Sequence, residues 1–122
     1  MTLSLFYGGT FDPVHAGHLA VARAVREVFG TALAFVPAAD PPHRAAPGAS
    51  AAQRAQMLAL AIAGEADFHV DARELRRSGP SWTVGTLREL RAERGPEAPV
   101  AWLMGADSFR GLPTWHQWVS LM

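Results

Sequence analysis

Cysteine is absent from the 122 residues, and so is lysine. The first absence excludes disulfide frameworks, thiolate metal sites and cysteine nucleophiles. The second makes all eleven basic residues arginine, and eleven acidic residues balance them to a formal net charge of zero. A chain without cationic surplus does not read as a general nucleic-acid or membrane-surface binder, since both partners reward positive charge. Long apolar runs are missing as well: none approaches the ~18 residues that a membrane helix needs. The stretch from Met1 to Gly9 has no basic region, and Gly8 cuts its apolar run short, so it does not read as a signal peptide. These absences point to a soluble, cytoplasmic chain. What is plentiful is apolar surface, at 49% hydrophobic against 18% charged residues, enough for a sizeable core. The length suits one domain over 1–122, and no repeat, low-complexity tail or linker divides it.

Short apolar runs alternate with helical patterns along the chain. Leu3 to Tyr7 reads as a strand closed by Gly8-Gly9. Val21, Val25, Val28 and Phe29 recur at helical spacing within Ala16 to Phe29, and Gly30 is a stop signal. Ala32 to Val36 is a second strand, and the Pro-rich segment from Ala38 to Ser50 is a loop. Ser50 can cap a helix running through Ala63, with Met57, Leu58 and Ile62 on its apolar face. Asp67 to Val70 is a short third strand and Thr83 to Arg94 a helix stopped by Gly95-Pro96. Val100 to Met104 is a fourth strand, and the chain from Ala106 onward is helical or turn-like. This alternation predicts an α/β fold: a Rossmann-like, doubly wound parallel sheet joined by right-handed crossovers. Ligands in such sheets bind beyond the carboxyl ends of the strands. Three chemically suggestive stretches follow strands, and so share one edge: Gly8 to His18, Pro41 to Arg44, and Gly105 to Asp107.

The first of these reads Gly8-Gly9-Thr10-Phe11-Asp12-Pro13-Val14-His15-Ala16-Gly17-His18. Two glycines after a strand permit a sharp turn and a close approach of ligand to backbone. His15 and His18 stand three apart at a helix start, where both imidazoles and the positive end of the helix dipole can meet a phosphate. The plainer alternative is a glycine turn with one histidine capping the helix and the other exposed. A zinc site would need a third ligand, Asp12 or His43, and the spacing alone supports it weakly. Asp12 suits turn formation ahead of Pro13 better than catalysis.

That eleven-residue string resembles the signature of the nucleotidyltransferase superfamily that carries His-x-Gly-His. Within it the chain is similar to the bacterial nicotinate-nucleotide adenylyltransferase family. Four further stretches carry the narrower likeness: Pro41 to Arg44, Arg77 to Thr83, Gly105 to Phe109, and Leu112 to Trp118. The related pantetheine-phosphate adenylyltransferases and cytidylyltransferases share only the first stretch well. The resemblance implies ATP and nicotinate mononucleotide as substrates, and nicotinate adenine dinucleotide and pyrophosphate as products, in NAD biosynthesis. Mg2+ arrives with ATP, and no tightly bound cofactor and no protein metal site are implied. The mononucleotide phosphate attacks the α-phosphorus directly, so the protein aligns reactants and neutralises charge.

Residue by residue, the likeness assigns His15 and His18 to the ATP phosphates as the catalytic pair. Gly8, Gly9, Thr10 and Phe11 form the ATP cradle. Arg44, where the family often has lysine, reaches phosphates, or is a solvated charge on a loop. Gly105 and Asp107 meet the adenylate ribose, with a helix N-cap as the alternative role for Asp107. Trp115 stacks on the nicotinate ring, while main-chain amides of Thr83 and His116 hold its carboxylate. Trp118 reads as core. Trp82 stands where the family commonly shows tyrosine, which keeps an aromatic face and loses a hydroxyl. Arg76 and Arg77 read first as a solvated basic pair.

The likeness fails at the carboxyl end, since nothing matches the family's later Ile-Ser-x-Thr-x-x-Arg motif. The fold is therefore expected to be truncated after the fourth strand and following helix. That leaves one wall of the site missing and an exposed strand edge open to pairing with another copy in a homo-oligomer. A catalytically impaired nucleotide-binding module and a pantetheine-phosphate adenylyltransferase remain as alternative readings.

Overall fold

The structure is a computed structural model, and it describes residues 3–39, 48–77 and 81–121, with the side chain of Asp107 outside that description. Four parallel strands form one sheet: β1 (Ser4–Gly9), β2 (Leu33–Pro37), β3 (Phe68–Val70) and β4 (Val100–Leu103), in the order β3-β2-β1-β4. Leu5 pairs with Leu33 on one side and Ala101 on the other, so β1 is the central rail. The connecting helices are α1 (Ala16–Phe29), α2 (Ala51–Ala61) and α3 (Thr83–Arg94), with a short α4 (Ala106–Arg110) after β4. The chain runs outward from β1 to β3, then returns across the sheet to place β4 beside β1. The crevice between the carboxyl ends of β1 and β4 is therefore the topological switch point, where such sheets take ligands.

Alternation along the strands builds two cores. Leu5 and Tyr7 of β1 and Leu33 and Phe35 of β2 join Ala22 of α1, Leu58 of α2, and Ile62 and Phe68 on one face. Phe6, Ala34 and Val36 point the other way, toward Leu90 and Leu87 of α3 and Trp102 of β4. Strands buried on both faces need apolar side chains at every position, which is why β1 and β2 lack polar alternation. The double winding was legible from that pattern.

Helix ends follow local chemistry. Ser50 caps α2 in a reciprocal box with Gln53, and Gly30 closes α1 in the left-handed conformation at φ 62°. Three details differ from the sequence reading. β1 continues through Gly8 and Gly9, which pair with Val36 and Pro37 instead of ending the strand. A 3-10 helix at Arg73–Arg76 follows β3 where the sequence reading had no element, while those at Leu112–Thr114 and Trp118–Leu121 agree with the helical or turn-like reading from Ala106 onward. Of the periodic residues in α1 only Val25 packs on the core; Val21, Val28 and Phe29 are exposed, because the buried stripe centres on Ala22. No helix among the described residues is long and apolar enough to cross a membrane.

The ring of Phe35 has no exposed surface and contacts Tyr7, Phe11 and Phe68 at centroid distances of 5.6, 5.6 and 5.4 Å. Phe35→Ala is expected to lower unfolding free energy by about 3–5 kcal/mol in urea denaturation. Val28→Ala, on the exposed side of α1, is expected to stay within about 0.5 kcal/mol of the parent.

Candidate functional site

The end of β1 is shaped by what its two glycines leave out. A Cβ on Gly8 would run into the indole of Trp102, and one on Gly9 would stand 3.2 Å from the ring of Phe11. Phe11 takes the left-handed region at φ 53°, a conformation rare outside glycine, and its ring is 2% exposed. The expected cradle thus acquires a correction: the Phe11 side chain is a core group and leaves only its backbone for a ligand. Beneath the loop, the fully buried Arg54 donates from Nη1 to the Thr10 carbonyl at 2.7 Å. Asp12 accepts from the Ala49 amide at 3.2 Å, which ties the loop to the approach of α2, in keeping with a turn-forming role.

His15 is the N-cap of α1. Its Nδ1 accepts from the Gly17 amide, and the Nδ1 of His18 accepts from the His15 amide, each at 3.1 Å. Gly17 leaves the His15 ring its place, since a Cβ there would sit 2.9 Å from that ring. The two rings stack at 3.9 Å with planes 26° apart. With both Nδ1 atoms accepting, the neutral tautomer carries its proton on Nε2, so each ring keeps one outward N–H donor. The structure shows the capping role, made by the inner nitrogen of both rings, while the outer nitrogen of each keeps its N–H. Capping also spends the lone pair that a zinc ion would need, and no cluster of three His, Asp or Glu residues occurs among the described residues.

His18 rests edge-on to Phe11 at 5.0 Å and Tyr7 at 6.1 Å. This apolar bed holds its pKa below the ordinary 6.5, and the neighbouring His15 adds to the effect.

A cleft of about 390 Å³ opens at the switch point, lined by Gly8, Gly9, Thr10, Thr83, Trp102 and Trp115 among others. Two sequence-predicted groups, the glycine turn and the Thr83–Trp115 pair, thus meet in one cavity although about 70 residues or more separate them along the chain. His15 and His18 are not in its lining; they follow Gly8, Gly9 and Thr10 along the chain, and His18 packs on Phe11, whose ring lies under Gly9. His116 is exposed and turns its ring onto Trp82, so only its backbone is left to meet a ligand. Gly105 is exposed ahead of α4, and Asp107 lies in the first turn of that helix. Arg44 and His43 lie outside the described residues. A larger hollow, about 540 Å³ at the opposite end of the sheet, is bordered by Arg23 and Arg26. Both guanidinium groups are committed to Glu65, at 2.6 and 2.9 Å, which makes that hollow a poor anion site.

The α3 side of the cleft has polar support that the sequence did not disclose. Glu74, 6% exposed, lines the cavity and accepts from the hydroxyl of the fully buried Thr86 at 2.8 Å. Burial pushes the Glu74 carboxyl above the usual carboxylate range, while the Thr86 hydroxyl and the Arg77 charge pull it back. Arg77 donates to Thr86 at 2.8 Å and Ser81 at 2.6 Å and pairs with Glu89 at 2.8 Å. It is therefore an internal strut, not a solvated charge. Arg54 did leave a signal: it stands four residues before Leu58 and eight before Ile62, on the buried stripe of α2. α3 itself begins at Thr83 without a side-chain cap, unlike α1 and α2.

Residues 6–122 match the family model described as cytidylyltransferase-like. The chain belongs to that family. Within it, the chain is 58% identical over 126 residues to a probable nicotinate-nucleotide adenylyltransferase of Stenotrophomonas maltophilia, covering 99% of this chain and 57% of that protein. A protein of the same description from Xylella fastidiosa is 50% identical over 124 residues, covering 98% and 56%. The chain thus spans a little over half the length of these relatives. Among solved structures, a Plasmodium falciparum nicotinic acid mononucleotide adenylyltransferase complexed with NaAD superposes with a TM-score of 0.80 at 17% identity, over 99% of this chain and 60% of that one. A putative nicotinate-nucleotide adenylyltransferase from Vibrio parahaemolyticus gives 0.76 at 17% identity, over 99% and 72%. The Rossmann-like architecture of this cytidylyltransferase-like chain is shared with both.

Two outcomes follow from the site geometry. In an NMR titration His18 should titrate below 6.5, and inorganic triphosphate should move its midpoint upward, because an anion favours the imidazolium. Since the folded pKa is the lower one, the unfolded chain binds more protons below about pH 6.5, and His18 lowers stability as pH falls through that range. Thr86→Val removes the Glu74 donor at constant shape and is expected to cost about 1–3 kcal/mol in thermal or urea unfolding.

Proposed function

We propose that the chain is the catalytic nucleotidyltransferase domain, over 1–122, of a nicotinate-nucleotide adenylyltransferase. The observation that carries this reading is the switch-point cleft in which the glycine end of β1, the uncapped start of α3 at Thr83 and Trp115 converge. The relatives at 58% and 50% identity bear the same activity in their names, which supports it.

In this reading the outward Nε2–H groups of His15 and His18 donate to oxygens of the ATP triphosphate. Backbone amides of Gly8, Gly9, Thr10 and Phe11 cradle the chain of phosphates, with Arg44 adding charge. Gly105 and Asp107 sit where an adenylate ribose would pass, beyond the end of β4. The amide of Thr83, free of any side-chain cap, receives the nicotinate carboxylate with the amide of His116, and Trp115 stacks on the pyridinium ring. A phosphate monoester is already an anion near neutral pH, so its oxygen attacks the α-phosphorus without a general base. A new P–O bond forms as the bond to the β-phosphate oxygen breaks and pyrophosphate leaves. Neutral imidazole donors suit the charge that develops on the departing oxygens. In this reading magnesium arrives with ATP as part of the substrate. A cytoplasmic location goes with this reading.

Incubation of the chain with MgATP and nicotinate mononucleotide is expected to release pyrophosphate. His18→Ala should lower kcat by about 100-fold or more while mononucleotide binding survives. Trp115→Ala should raise the mononucleotide KM by roughly 5- to 100-fold, the range for loss of a ring stack. Turnover with pantetheine phosphate and none with the nicotinate substrate would overturn the assignment. Mononucleotide binding without turnover would reassign the chain as a binding module.

A further inference from the structure

Trp82 and His116 stack face to face, with ring centroids 4.0 Å apart and planes 22° apart. Both rings are exposed, Trp82 at 42%, so this contact is not a product of core burial. Each ring sits one residue from a group that lines the switch-point cleft: Trp82 precedes Thr83, and His116 follows Trp115. Successive Cα atoms are held about 3.8 Å apart by covalent geometry, so fixing the two outer residues constrains the two inner ones. Gln117 takes φ 51°, in the left-handed region that side chains rarely adopt, and so reverses the chain directly after His116. On the other strand of the clasp, Trp82 is extended at φ −120° and ψ 151° as α3 begins.

We infer that Trp82 and His116 are positioning residues: their stack is a clasp across the mouth of the cleft that sets the gap between the Thr83 amide and the Trp115 indole. The occupant of that gap is a flat heteroaromatic ring carrying an acidic substituent, which slides against Trp115 and meets the amide of Thr83 at its edge. The clasp rests on the mononucleotide reading above and adds to it which side chains hold the slot at its working width. It also explains why tryptophan serves at position 82. The contact uses the face of the ring, and no phenol hydroxyl takes part in it.

The test combines a structural and a kinetic readout on the intact chain. In the ligand-free protein, Trp82→Ala should shift the imidazole proton resonances of His116 downfield, since they lose the ring current of the indole. Trp82→Ala and His116→Ala should each raise the KM for nicotinate mononucleotide about three- to ten-fold, the span of a typical aromatic pair, and leave the KM for ATP unchanged. The double variant should be no worse than either single one, because both remove the same contact. Trp82→Phe and His116→Phe, which keep the stack, should restore the parent KM. Additive losses in the double variant would overturn the clasp, and so would an equal rise in the KM for ATP or a failure of both phenylalanine variants to rescue. A parent chain that neither binds nor turns over nicotinate mononucleotide would overturn the mononucleotide reading instead, and an unmoved His116 resonance would sink the stack by itself.

Discussion

The site depends on one steric constraint: β1 has to finish on residues without side chains. The indole of Trp102, reaching across from β4, occupies the space a Gly8 side chain would need, and the ring of Phe11 lies under Gly9. That ring in turn is the floor on which His18 stands. The sequence of dependence is therefore short. Bare backbone at the strand end lets Phe11 fold inward; Phe11 supports His18; His18 bonds the amide of His15; and His15 bonds the amide of Gly17. Each imidazole is oriented by a bond to its inner nitrogen, so its outer N–H is held in a fixed direction before any ligand arrives. Such preorganisation is what makes a neutral donor useful against developing negative charge.

The helix starts are treated in two ways. α1 and α2 satisfy their own first-turn amides through His15 with His18 and through Ser50 with Gln53. α3 begins at a tryptophan that has no acceptor to offer. The cost of an uncapped start is about 1 kcal/mol. Here it is offset by the buried Glu74–Thr86–Arg77 network, which anchors the first turns of α3 to the 3-10 helix before it. A wall held by buried hydrogen bonds can leave amides open at the cleft without loosening, because removal of any one partner strands a polar group in low dielectric.

Parallel crossover topology explains why residues so far apart in the chain meet. The glycine turn belongs to β1, Thr83 to the helix that crosses the sheet, and Trp115 to the segment beyond β4. All reach the same edge because each follows or precedes the carboxyl end of a strand or the matching end of a helix. The cytidylyltransferase-like scaffold is thus a way of bringing three separate segments to one crevice. The polar and aromatic contacts then fix their spacing.

Strand and helix positions, the double winding, the Ser50 cap and the Gly30 stop were all determined by local pattern: apolar runs, helical periodicity, and residues whose backbone preferences are intrinsic. The histidine pair was legible for the same reason, since a helix start is a short-range feature, whereas Gly8 and Gly9 continue β1 where the sequence was read as a turn. Tertiary structure alone decided that Phe11 points into the core, that Arg77 is an internal strut, that Trp102 forbids a side chain at Gly8, and that Trp82 lies on His116. Each of these is a contact between residues far apart in sequence or a choice of which side of the backbone a ring takes. Residue type and spacing do not encode such choices; the space left by neighbouring elements does.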